Sequence, residues 1–403
     1  QTVSGTTKSL FQRVFRKQKS YPGLVEIMRA FYGHLLSGES MDISNAAILQ
    51  TVEICEEVTK HLKSAEEHNN SLAEAELEKA ELQLQRADTA RGTVLVTGGT
   101  GFLGKAVAQE LRRRNWATRV VGRSMPPPAK KIPGVEYVAA DLWKEIPEEA
   151  LKGVSVIVHC AAETSGGKEA HSRNSIDATR NILAASANAG IRRFIHISSI
   201  AVLKTSNEAG GPVDESTPFV PDGEGRGPYV WGKLESEKIA SSFGTKGGVE
   251  VRVIRPGALV DYTDFDAPGR LGREVGPLFV CIGGKNSRIG LCDVHKAAEV
   301  IRAYVEDFDN MPSTLNLIEP DGPTHAELLS RLLSKRPDLK VVYFPILLLR
   351  LMSPALKLLQ KILRPGNRPI DVYAVFAPEK YDCKLAMKIF REMNRSEGAQ
   401  YQK

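Results

Sequence analysis

The sequence predicts an α/β protein: a doubly wound parallel sheet with a smaller C-terminal substrate-binding part, preceded by an α-helical N-terminal segment. Three observations carry this expectation. From about residue 91 onward, short apolar runs alternate with helical stretches. A glycine-rich turn joins the first of those runs to the helix that follows it. Over the first 65 residues, by contrast, apolar side chains recur at helical spacing.

Taken in order, Leu24, Ile27, Met28, Phe31, Leu35 and Leu36 form one helical face, and Ser37-Gly38 punctuates it. A second helix carries Ile48, Val52, Cys55 and Val58 on its apolar face. Residues 66–90 are rich in Ala, Glu, Leu and Gln with no Gly or Pro, which predicts a semi-rigid helical linker. Region 91–403 then opens with the strand Val94-Leu95-Val96 and a helix over Lys105–Asn115. Further strands are expected at Arg119–Val121, Val135–Val138, Val154–Val158 and Phe194–Ile197. The substrate-binding part is expected from about 205–228 and 260–390.

Composition excludes several classes. The chain has 403 residues, 42% hydrophobic and 25% charged, enough apolar side chains to build cores, so disorder over most of its length is excluded. The net charge of +6 is small for this size, and no lysine-rich tail or aromatic/basic RNA motif occurs, so nucleic acid is not expected as a partner. Five scattered cysteines, none at zinc-ligand spacing, argue against a disulfide framework and favour a reducing, cytoplasmic location. His159, His196, His295 and His325 lack paired spacing, and no metal is expected. The first residue is Gln1 and no signal peptide opens the sequence, so a fragment or a processed product is one expectation.

The turn Thr97-Gly98-Gly99-Thr100-Gly101-Phe102-Leu103-Gly104 places Gly98, Gly101 and Gly104 in a G-x-x-G-x-x-G spacing. The first glycine permits a tight turn, the second a close approach of backbone to a pyrophosphate, and the third close packing of helix on strand. The helix N-terminus supplies N–H groups to the phosphates. Arg123, with Ser124 beside it, ends the second strand where an acidic residue would receive ribose hydroxyls. A guanidinium suits a 2′-phosphate, so NADP is favoured over NAD. Asp141-Leu142 follows the third strand, where the carboxylate suits an adenine amino group or simply the turn itself. His159-Cys160-Ala161-Ala162 ends the fourth strand, and its small side chains leave room for the diphosphate and ribose.

Tyr229-Val230-Trp231-Gly232-Lys233 is a Y-x-x-x-K pattern, with Tyr and Lys on one helix face. An ammonium there lowers the phenol pKa and can hold the nicotinamide ribose. Ser199, at the end of another strand, supplies a hydroxyl to the substrate oxygen. The three form a proton relay to an alcohol or carbonyl during hydride transfer.

These residues resemble the extended short-chain dehydrogenase/reductases, the Rossmann-fold superfamily of nucleotide-sugar epimerases, 3-beta-hydroxysteroid dehydrogenases and dihydroflavonol reductases. The resemblance spans nearly all of 92–390, through TGGTGFLG (97–104), HCAA (159–162), RFIHISSIAV (193–202), YVWGK (229–233), VIRPGAL (253–259) and IGLCDVHKAAEVI (289–301). It implies Tyr229 as acid/base, Lys233 as its partner, Ser199 as the hydroxyl-holding serine, and Pro256, Gly257 and Ala258 closing over the nicotinamide. Asn174 stands at the family's Asn-Val-x-Gly-Thr helix start, with Ala178 in place of glycine. Ile200-Ala201 stand where dehydratases carry an Asp-Glu pair, so water elimination is not expected. The RPGA form is closer to the hydroxysteroid dehydrogenase and flavonol reductase branches. Alcohol/ketone oxidoreduction is therefore the leading expectation, with nucleotide-sugar epimerisation next and a non-catalytic dinucleotide-binding module as a third reading. Extended members often dimerise, which implies a homodimer as one arrangement.

Residues 22–58 resemble the C-terminal tail of the glucose–fructose oxidoreductase/inositol dehydrogenase group (Gfo/Idh/MocA), which implies an upstream oxidoreductase domain in a bifunctional fusion; an unrelated helical hairpin is the other reading. Near the C-terminus, 344–364 is apolar but interrupted by Arg350, Lys357 and Lys361 and split by Pro354. A bilayer span needs about 20 apolar residues, so none is expected. The segment is either a helical cover over an apolar pocket or an amphipathic contact with an anionic membrane surface. Either suits a small-molecule substrate that is hydrophobic; the epimerase reading suits a sugar derivative.

Overall fold

A computed structural model describes residues 45–84, 87–246, 248–363 and 368–400, together with Tyr32 and Leu36, both helical. Most of the segment expected as an oxidoreductase tail, 22–44, thus lies outside the described residues. The chain divides into two compact units, Gln1–Ala73 and Glu74–Lys403. Helix α1 (Asn45–Gln83) is continuous. No glycine or proline interrupts it, and Ala, Glu and Leu are strong helix formers. Val52, Cys55 and Val58, three residues of the expected apolar face, are exposed.

The second unit is built on seven parallel strands: β1 (Asp88–Thr97), β2 (Trp116–Gly122), β3 (Glu136–Ala139), β4 (Val154–His159), β5 (Arg193–Ile197), β6 (Glu250–Pro256) and β11 (Thr314–Leu317). Their order across the sheet is β3-β2-β1-β4-β5-β6-β11. Each expected strand is present within a few residues; β1 starts earlier, so the expected linker ends inside it. Strand β1 pairs with β2 on one side and β4 on the other. Strand order reverses there, which opens a crevice at the carboxyl ends of both.

Helices cover both faces, the layering the sequence predicts. On one, α2 (Phe102–Arg113) and α5 (Val294–Glu306) bury Val107, Leu111, Ile301 and Tyr304 against Val96 and Val158. On the other, α3 (Ala178–Asn188) and α4 (Pro228–Lys246) bury Ile182, Leu183 and Ala240 against Leu95 and Ile157. Asp293 caps α5 by accepting from the His295 and Lys296 N–H groups.

Part of 260–390 differs from expectation. Helix α5 and β11 belong to the main body, because β11 pairs with β6 and α5 packs on α2. The remainder forms a smaller lobe: β7 (Ala258–Val260) with β10 (Leu291–Asp293), and β8 (Gly272–Val275), β9 (Leu278–Ile282) and β12 (Lys340–Phe344) with α6 (His325–Lys335). Helix α7 (Ile346–Leu363) runs through Pro354 without the expected break, followed by α8 (Val372–Phe376) and α9 (Lys384–Gln400). Among the described residues, no helix is long and apolar enough to cross a membrane.

Candidate active site

A cleft of about 1280 Å³ opens where the carboxyl ends of β1, β2, β4, β5 and β6 meet the smaller lobe. The glycine turn forms its floor. Gly98 has φ +66°, and a Cβ there would lie 2.8 Å from the Ala161 backbone. Gly104 packs tighter still, since a Cβ would lie 2.3 Å from the Gly98 carbonyl oxygen. Gly101 precedes α2 and offers no side-chain cap, so the first N–H groups of that helix are left for another acceptor. Gly98, Gly101, Phe102, Leu103 and Gly104 all line the cleft.

Thr97 is a correction. It is fully buried and does not line the cleft. Its hydroxyl bonds the His159 ring (2.7 Å) and accepts from the Ala161 N–H (3.3 Å), so it braces the two strand ends from beneath. The other face of His159 meets the Thr179 hydroxyl (3.0 Å), and burial pushes its pKa down to about 3.

Arg123, Asp141, Leu142, Cys160, Ala161 and Ala162 line the cleft beside the glycine turn. Arg123 is exposed and has no carboxylate partner among the described residues. Asp141 accepts from the Trp143 indole N–H (2.7 Å). Pro256, Gly257 and Ala258 line the opposite side. The Gly257 N–H donates to the Leu317 carbonyl, and a Cβ at Gly257 would lie 2.6 Å from the Gly290 oxygen.

Ser199, Tyr229 and Lys233 are brought together on one wall. Ser199 begins the short turn Ile200–Val202 directly after β5, and its Oγ accepts from the Ala201 N–H (3.3 Å). Tyr229 lies in the first turn of α4, just after Pro228, whose fixed φ and missing N–H suit a helix start. Lys233 follows one turn later, buried, and donates to the Ile197 carbonyl (2.7 Å).

The electrostatics differ from the sequence expectation. Burial pushes the Tyr229 phenol above its usual pKa, and its hydrogen bond with Ser199 opposes that only in part. Burial likewise lowers Lys233 to about 8, against the pull of Cys160 and Glu237. In this arrangement desolvation, rather than the neighbouring ammonium, sets the phenol.

Sequence reasoning did not single out two further groups. Glu163 lines the cleft, and its carboxylate accepts from the Thr164, Ser165 and Gly166 N–H groups (3.1, 3.2 and 3.2 Å) and from Asn174 Nδ2 (2.8 Å). Led by the Asn174 bond, these donors hold its pKa at about 2. Its signal was an acid directly before a Thr-Ser-Gly-Gly turn. Beneath Lys233, Glu237 bonds Arg255 through Nη2 (2.6 Å) and Nε (2.9 Å), and accepts from the Ser198 hydroxyl. Both charges are buried. Glu237 stands one helical turn beyond Lys233, and that spacing was legible; its partner on β6 was not.

A seven-stranded parallel sheet with a glycine cradle at its switch point is a Rossmann-type fold, and a serine, a tyrosine and a lysine share one wall of its cleft. Residues 94–271, somewhat less than half of the chain, match the model of the NAD dependent epimerase/dehydratase family. It is 30% identical over 220 residues to a 3 beta-hydroxysteroid dehydrogenase/Delta 5→4-isomerase of Mycobacterium tuberculosis, covering 51% of this chain and 58% of that one. It is 28% identical over 228 residues to a decarboxylating sterol-4-alpha-carboxylate 3-dehydrogenase of Dictyostelium discoideum, covering 54% and 68%. A UDP-glucose 4-epimerase of Vibrio cholerae is 28% identical over 172 residues, covering 41% and 51%. The chain thus spans about half the length of many of the curated relatives it matches. The UDP-glucose 4-epimerase of Thermus thermophilus, solved in complex with NAD, shares the fold with a TM-score of 0.53 at 18% identity, covering 73% of this chain and 92% of that one.

Proposed function

We propose that the chain is an NAD(P)-dependent oxidoreductase that interconverts a secondary alcohol and a ketone or aldehyde. The observation carrying this reading is the convergence of Ser199, Tyr229 and Lys233 in the same cleft as the glycine cradle.

The cradle fits a dinucleotide. Gly98 and Gly104 pack against backbone at distances that leave no room for a Cβ, and the uncapped start of α2 offers N–H groups to phosphates. Arg123, exposed and without a carboxylate partner among the described residues, supports a 2′-phosphate and hence NADP over NAD. When bound, the nicotinamide supplies or accepts the hydride. Lys233 would then hold the ribose hydroxyls next to it. Ser199 would orient the substrate oxygen. Tyr229 would exchange a proton with that oxygen, and its raised pKa keeps the phenol protonated at neutral pH, ready to donate to a ketone.

Val213, Val230, Val372, Val375 and Phe376 form an apolar part of the remaining wall. These side chains support an apolar substrate, in keeping with the hydroxysteroid and sterol dehydrogenases among the relatives. A second reading, nucleotide-sugar epimerisation, draws on Arg226, Arg270 and Arg273 in the same cleft, which suit a diphosphate.

The test pairs Tyr229→Phe with NADH and NADPH titrations of the wild type. Turnover should fall by about 10²–10⁴-fold in the variant while dinucleotide affinity barely changes. NADPH should bind more tightly than NADH. Full activity of the variant would refute the assignment. Epimerisation would show instead as substrate conversion with no net accumulation of reduced cofactor. Dinucleotide binding without turnover across alcohols and ketones would favour a non-catalytic module.

A further inference from the structure

Helix α7 turns Ser353, Lys357 and Gln360 toward the protein beside the buried Leu349, and presents a stripe of other apolar side chains outward. Ser353 and Lys357 bond the Asp371 carboxylate (2.8 and 2.6 Å), and Gln360 exchanges two hydrogen bonds with the Ile370 backbone (2.9 and 3.0 Å). Asp371 in turn caps α8 through the Ala374 N–H, so the orientation of α7 is pinned at several points. Gln360, Ile370 and Val372 line the cleft, which makes the inner side of α7 part of its wall.

The outer side carries Leu347, Leu351, Leu358 and Ile362, at 64%, 71%, 61% and 66% exposure. At about 100° per residue these four fall within a single stripe about 60° wide, with Leu348, Met352 and Leu359 extending it. Arg350 and Lys361 lie together along one edge of that stripe, both exposed. From Leu339 to Ile370 the sequence has six cations and no carboxylate. A contiguous apolar face of this kind marks an interaction surface. Lys357 is paired with Asp371 and Arg368 with Asp222 and Glu224, which leaves Arg350 and Lys361 as the cations bordering the stripe. An exposed cationic edge of this kind favours an anionic partner, and leucine-rich side chains on one exposed helix suit the boundary between headgroups and acyl chains.

We propose that the outer face of α7 docks on an anionic lipid bilayer, seating the cleft at the membrane surface. Together with the alcohol/ketone reading of the cleft, on which this part rests, it makes the substrate an apolar compound held in that bilayer. The docking itself is independent of the chemistry.

The test is flotation of the full chain with vesicles of phosphatidylcholine alone and of phosphatidylcholine containing phosphatidylserine. The wild type should float with the anionic vesicles, far less with neutral ones, and less as salt is raised. The Leu351→Asp/Leu358→Asp/Ile362→Asp variant should lose about tenfold or more of that binding, and Lys361→Glu a smaller part. Both variants should keep the wild-type melting temperature and dinucleotide affinity, since the substituted side chains point away from the fold. Failure of the wild type to float, equal binding to neutral vesicles, or equal flotation of the triple variant would overturn the proposal. A wild-type dimer that the triple variant converts to monomer, with neither floating, would overturn it too and assign the face to a second copy of the chain. Flotation by a chain that binds no dinucleotide would leave the docking standing and remove the oxidoreductase reading.

Discussion

The two ionisable groups of the reacting wall are displaced in opposite directions by the same cause. Desolvation disfavours charge, so it raises the Tyr229 phenol and lowers the Lys233 ammonium to about 8. Below that value Lys233 is charged and can donate to a ribose hydroxyl; above it the charge is lost. In ketone reduction, kcat/KM should therefore be flat through neutral pH and fall as pH rises through about 8, while Tyr229 stays protonated over that window. Lys233→Arg stays charged throughout. Its residual activity should lack the decline near pH 8, and an unchanged profile in that variant would assign the titration to another group.

The junction of β1, the glycine turn and α2 is set by contacts too close for any side chain. Gly104→Ala would drive a Cβ into the Gly98 carbonyl, a backbone atom that cannot swing away. Overpacking of this kind costs about 1–3 kcal/mol, and here it also shifts the helix start that offers N–H groups to phosphates. The variant should melt lower and bind dinucleotide more weakly. Gly167→Ala, where a Cβ meets nothing within 4 Å and φ is negative, should leave both unchanged. Equal behaviour of the two variants would show that the cradle is not tightly packed.

Across the whole second unit, the Glu237–Arg255 pair ties α4 to β6, and Arg255 reaches on to Asn316 of β11 (3.5 Å). Ser198, just after β5, joins through its hydroxyl. Removing one partner strands a buried charge, so Glu237→Leu alone should cost about 3–5 kcal/mol in urea unfolding. Glu237→Leu with Arg255→Met removes both charges and should recover much of that loss. Losses that simply add would show that the two groups do not depend on each other. The arrangement also accounts for the placement of β11: it buries Leu315 and Leu317, offers Asn316 to Arg255, and takes the edge of the main sheet rather than joining the smaller lobe.

The sequence alone determined what depends on short-range spacing: the strand–turn–helix around Gly98, Gly101 and Gly104, the five leading strands, and the pairing of Tyr229 with Lys233 one helical turn apart. Such features are written in neighbouring residues, because backbone geometry and helical period act over a few positions. Tertiary structure decided what depends on burial and on partners far along the chain. It buried Thr97 under His159 and away from the cleft, raised the phenol that a lone Tyr–Lys motif would lower, and gave Glu237 its arginine. It also turned an apolar stripe of α7 outward, because Asp371 and Ile370 hold Ser353, Lys357 and Gln360 on the inner side. Desolvation and long-range hydrogen bonding belong to an environment rather than to a residue type, so they become definite only when the chain is folded.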